Sequence, residues 1–161
     1  MNIKMDGISE FVNNLTKVYD DAEVMFKRSA YNAAGVVADE VKAGLKGLRT
    51  APYKYVKDGE PPLDGVTKLE KSDLIESMGI SKIESRDGLT TVSVGFDGYG
   101  STPTKKYPQG LPNQLLMRSV ESGTSFRRKQ PVIRPAINRS RTKIDSAIKK
   151  AVTEFIESKM N

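Results

Sequence analysis

A chain of 161 residues holds one hydrophobic core and is too short for two comfortable ones; with 37% apolar and 29% charged residues that core is modest, which predicts an elongated fold or one that finishes its burial at subunit interfaces. Cysteine and histidine are both absent, which excludes disulfides, a thiolate nucleophile, Cys- or His-ligated zinc and any Ser-His-Asp triad, and leaves only carboxylate, Lys or Tyr chemistry to an enzyme. The net charge of +6 is segregated, with twelve Lys or Arg in residues 105–150 against only Glu121 and Asp145, a distribution suited to nucleic acid or an acidic protein partner.

Residues 2–6 read as a short strand ended by Gly7. Ser9 then caps a helix that gathers Ile8, Phe11, Val12, Leu15 and Val18 or Tyr19 on one face, a pattern expected to pack on the core. Asp20, Asp21 and Glu23 open a long helix running to about Gly47, on the order of 40 Å at about 1.5 Å per residue. Its Ala30, Ala33, Ala34, Gly35 and Ala38 form a small-residue zone expected to admit a close helix neighbour. The helical pattern stops over residues 49–66, where Pro52, Pro61 and Pro62 predict an exposed loop, and Tyr53 and Tyr55 are candidates for resting on a neighbouring subunit. Ser72 and Asp73 start a short helical turn through Leu74, Ile75 and Met78. Residues 80–86 and 89–97 predict a hairpin about Asp87 and Gly88, with Val92, Val94 and Phe96 alternating onto a buried face. A second exposed loop, residues 98–112, carries Lys105 and Lys106. Residues 113–120 form a short helix or, through LLMRSV, a strand. Pro135 begins a C-terminal helix with Ile137, Ile144, Ile148, Ala151 or Val152, Phe155 and Ile156 on its apolar side, ending near Ser158. The fold class that follows is α+β: long N-terminal and C-terminal helices packed on a small antiparallel β-sheet, with long exposed loops, in a single domain.

The residues offer no cofactor motif and no metal site. Asp58, Glu60 and Asp64 lack the spacing of a calcium loop, and the glycines of residues 95–100 lack a Walker lysine. The strongest binding signal is the basic series Arg127, Arg128, Lys129, Arg134, Arg139, Arg141 and Lys143. Arg139 and Lys143 stand four apart on a solvated helix face, and with Lys105 and Lys106 they make a candidate face for DNA or an acidic partner. Only Phe126 interleaves with these cations, and no base-reading motif is present, so nucleic-acid contact would be independent of sequence. Within residues 120–136, Gly123 suits a left-handed helix end that lets Thr124 and Ser125 turn the chain. Pro131 and Pro135 stiffen the following link, and Glu121 is expected to pair with a basic residue of that link or of a neighbour. Such an arm delivers its helix either to its own chain or to an adjacent subunit. Neither a hydrophobic leader nor a run of about 20 apolar residues is present, so the expectation is a soluble protein made in a cytoplasm.

Val120-Glu121-Ser122-Gly123-Thr124-Ser125, followed by Pro131-Val132-Ile133-Arg134-Pro135-Ala136 and an amphipathic helix, resembles the tailed-bacteriophage morphogenesis family of minor tail components, the neck or tail-completion proteins. The likeness extends to Ser72-Asp73-Leu74-Ile75-Glu76-Ser77-Met78 and to the order of elements from about Asp20 onward. Asp73 stands where the family usually has Gly, and Leu116-Met117 where a Tyr-Ala pair is common. The resemblance implies a nonenzymatic virion protein without cofactor, forming a homo-oligomeric ring, expected to be sixfold, that joins head and tail around the passing genomic DNA. Its implied partners are head-side connector proteins and tail tube or tail terminator proteins. Glu121, Gly123, Thr124, Arg127, Arg128, Lys129, Arg134 and Pro135, with Tyr53 and Tyr55, are the expected contact residues. A tail terminator, a head-closure protein and a small basic nucleic-acid-binding protein are the alternative readings.

Overall fold

A computed structural model describes residues 8–52 and 56–160. Among these residues five helices and two small antiparallel β-ladders make an α+β fold: α1 (Ile8–Asp20), α2 (Ala22–Lys46), α3 (Lys68–Ser77), β1 (Met78–Ile80), β2 (Glu84–Arg86), β3 (Leu89–Thr91), β4 (Val94–Phe96), α4 (Asn113–Ser122) and α5 (Ile133–Met160). The strand predicted at residues 2–6, and Tyr53 and Tyr55, lie outside the described residues.

The frame is an antiparallel pair of long helices. On α2, Ala34, Ala38, Val41 and Leu45 are buried at steps of three and four, the spacing that keeps side chains on one helical face. Along α5, Ala136, Ser140, Ala151 and Phe155 face inward. Ion pairs mark the register: Glu40 with Arg139 and Lys143 near one end, and Asp21 with Lys159 at the other. At Gly44 the chain just before α5 comes close, since an added Cβ would stand 2.6 Å from Val132 Cγ1. The alanine zone instead borders a groove of about 530 Å³, in which Ala30, Ala33 and Val37 face Val92 and Val94 of the hairpin and Ile137 and Ile144 of α5. The helix after Pro135 thus returns to α2 of its own chain.

The core fills one end of this frame. Val41, Leu45 and Leu48 pack with Val66, Leu74, Met78, Phe96, Leu116, Met117, Val120, Val132 and Ala136. α1 lies beyond it, against the C-terminal end of α5, where Asn14 Nδ2 donates to the Met160 carbonyl. Among the described side chains of its predicted core face only Val18 is half-buried, whereas Phe11, Val12, Leu15 and Tyr19 are exposed. The core is too far along the helix pair to receive them.

Three element boundaries differ from the sequence expectation for local reasons. α3 begins at Lys68, not Ser72, because Thr67 and Glu70 form a reciprocal capping box: Glu70 N–H donates to Thr67 Oγ1 and Thr67 N–H to Glu70 Oε2. α5 begins at Ile133, two residues before Pro135. The predicted hairpin turns at Asp87 and Gly88, both at positive φ, as a two-residue primed turn requires. Its long strands are interrupted, however: β1 pairs β4 with Met78 opposite Phe96, while β2 pairs β3 with Glu84 opposite Thr91. These registers differ by one residue, so residues 81–83 oppose residues 92–93 and the chain bulges there. Ser81 holds the bulge, donating from its N–H to the Ser93 carbonyl and accepting the Ser93 N–H on its Oγ. Residues 113–122, open between helix and strand in the sequence, are helical.

Both long loops are largely exposed but pinned. Leu63 N–H donates to the Phe126 carbonyl and Arg128 N–H to the Leu63 carbonyl, tying the first loop to the segment after α4. In the second, the buried Asp73 carboxylate accepts from Ser101 N–H and Oγ–H, and Gly100 N–H donates to the Leu111 carbonyl.

Candidate functional site

Residues 120–136 form a structured joint between α4 and α5. α4 stops at Gly123, whose φ of 76° and ψ of 170° lie in a region almost confined to glycine; this is positive φ as expected, but extended, not the left-handed helical end. Thr124 N–H donates to the Arg127 carbonyl and Arg127 N–H to the Thr124 carbonyl, closing a tight turn that leaves Phe126 half-exposed. The chain then runs through Arg128, Lys129 and Gln130 into α5.

Glu121 locks that entry. Its carboxylate accepts three backbone N–H groups, from Val132 at 2.6 Å, Ile133 at 2.9 Å and Arg134 at 3.1 Å. The first amides of a helix lack intrahelical acceptors and carry its positive dipole end, so a carboxylate is the fitting partner. The expected pairing of Glu121 with a basic side chain is thereby corrected: its oxygens are taken by amides. Pro135 sits half-buried inside the first turn and Arg134 is exposed beside it.

Arg127 is the second correction. Its side chain is 2% exposed, and Nη2 lies 2.9 Å from both Glu70 oxygens, whose own side chain is 3% exposed. Nη1 reaches Ser119 Oγ at 3.4 Å. A guanidinium in that setting holds α3 to the joint and has no surface to offer a partner. Arg128 and Lys129, which follow this turn, remain exposed, as does Thr124. Glu70 escaped the sequence reading, although the Thr67-to-Glu70 spacing that signals the capping box was the clue to a placed carboxylate.

The basic face is partly neutralised. Arg139 Nε and Lys143 Nζ both bind Glu40 of α2. The Lys143 and then the Arg139 hydrogen bonds hold the Glu40 carboxyl below its ordinary range. Lys105 and Lys106 are exposed on the second loop, apart from this helix pair, and Lys106 Nζ stands 5.7 Å from the Tyr107 ring centroid. The predicted basic residues therefore do not form one open face.

Two features gather where the sequence did not point. An apolar cavity of about 430 Å³ opens between α4 and the two loops, with Lys106, Glu70 and Arg127 in its lining. A row of bare apolar side chains follows α1, with Phe11 53% and Tyr19 82% exposed, alongside Val12 and Leu15; Val24 and Phe26 near the start of α2 are exposed as well. Asp58, Glu60 and Asp64 are not gathered: among the described residues no group of three or more acidic side chains could hold a metal ion, Asp64 pairs with Arg49, and Glu60 accepts from Lys57 N–H. No helix of the described residues is long and apolar enough to cross a membrane. No protein-family model matches the chain, and neither a curated protein nor a solved structure shows significant similarity to it.

Proposed function

We propose that this protein is a structural component of a tailed-phage neck or tail-completion assembly, a nonenzymatic subunit that forms a ring joining head and tail around the DNA passage. The observation that carries the reading is the bare apolar row of Phe11, Val12, Leu15 and Tyr19 on α1. Monomers rarely leave such a face in water, and its burial against further copies supplies the area that a modest core lacks. The resemblance of residues 120–136 to neck proteins selects the kind of assembly.

The joint fits this role as a rigid element. Glu121 fixes α5 to the end of α4, and Arg127 fixes the same segment to α3, so contact residues such as Arg128, Lys129 and Arg134 are presented from a braced backbone. Virion localisation, head-side connector proteins and tail tube or terminator proteins as partners, and a sixfold ring belong to the same proposal. A nucleic-acid role is weaker on this geometry, because Arg127 is buried and Arg139 and Lys143 are already paired. The test is electron microscopy of phage particles made without this protein: separate heads and tails are the expected outcome, and normal joined virions would refute the proposal.

A further inference from the structure

The cavity between α4 and the two loops has no part in the assembly reading, and its lining is chemically specific. Tyr107, Leu111, Leu115 and Phe126 supply apolar walls, while the buried Glu70–Arg127 pair and the exposed Lys106 supply the charge. A volume of about 430 Å³ falls within the range of roughly 300–1,000 Å³ common to small-molecule sites.

The walls and the charge of the lining define what it would take. The Glu70 and Arg127 charges cancel, and among the described lining residues Lys106 supplies the positive charge left over. The Arg127 side chain is 2% exposed, so the pair itself offers a ligand no open donor. An apolar molecule with one negative charge matches both the walls and this balance. We propose that the cavity binds a medium-chain monocarboxylate, its hydrocarbon against Leu111, Leu115 and Phe126 and its charge balanced by Lys106.

The experiment is a titration of the whole chain by amide NMR with octanoate, and with octylammonium as the probe of opposite charge. Octanoate is expected to give saturable shifts at Tyr107, Leu111, Leu115 and Phe126, and octylammonium none. Lys106→Glu should weaken octanoate by about fivefold, the upper scale of an exposed ion pair, and Leu115→Trp, which fills the cavity, should abolish its binding. Thermal melts establish that each variant is folded, and Lys106 is a surface position that keeps the test valid if Leu115→Trp does not fold. The absence of saturable octanoate shifts, an equal response to octylammonium, or octanoate binding that survives a folded Leu115→Trp would each overturn the assignment.

Discussion

Arg127 lies among seven basic residues of similar appearance, and its surroundings separate it from all of them. A buried guanidinium is tolerated here because a carboxylate fixed by its own capping role stands 2.9 Å away. Replacing Arg127 by Met leaves the Glu70 charge buried with one backbone donor, a change that costs about 3–5 kcal/mol by the general behaviour of broken buried pairs. The double variant Arg127→Met with Glu70→Leu removes both charges and should recover part of that loss, except for the cap that Glu70 gives Thr67. Urea denaturation of the three proteins measures both statements; a single variant as stable as the parent would mean that the pair carries no weight. Nothing local in Arg127-Arg128-Lys129 distinguishes the first residue from the next two. Its partner is 57 residues away in the chain, and only tertiary structure brings Glu70 to it. Gly123 was legible by contrast, because a helix end followed by hydroxyl residues is a local signal.

Among the elements, those whose cause is local were readable and those fixed by partners were not. The apolar periodicity of α2 and α5 and the Asp87-Gly88 turn follow from neighbouring residues. The one-residue offset within the hairpin was hidden, since Ser81 and Ser93 announce no bulge until they face each other. The period of α1 predicts a core face, but period alone does not say whether another surface is within reach. The α2–α5 pairing also has a pH signature. The Lys143 and Arg139 hydrogen bonds lower the Glu40 carboxyl below its ordinary value, so this contribution to stability is present in full above that ordinary value and is lost as pH falls through the lowered one. Glu40→Gln should therefore be less stable than the parent at neutral pH, with the difference closing well below about pH 4. Thermal melts across pH 2.5–7, about the range that brackets a carboxylate, check the sign; a gap that widens in acid would contradict it. Added salt should narrow the neutral-pH gap, since Arg139 and Lys143 are exposed.

For the molecule as a whole, the distribution of apolar surface makes association the property to measure. The purified chain should show a mass above that of one 17.7 kDa subunit in light scattering, or gain it with concentration. Leu15→Lys with Tyr19→Lys, on an already exposed face, should lower that mass while leaving the helical circular dichroism unchanged. An unaltered mass would separate the α1 face from assembly. The helix pair also has a consequence in time. Glu40 meets residues 99 and 103 positions further on, and Asp21 one 138 further on. During synthesis, most of the chain must leave the ribosome before α2 finds the helix that covers it. Closing loops of that size is slow, so the nascent protein passes through a long interval with α2 bare. In a cell making many copies at once, the closing of α5 onto α2 then competes with association between unfinished chains.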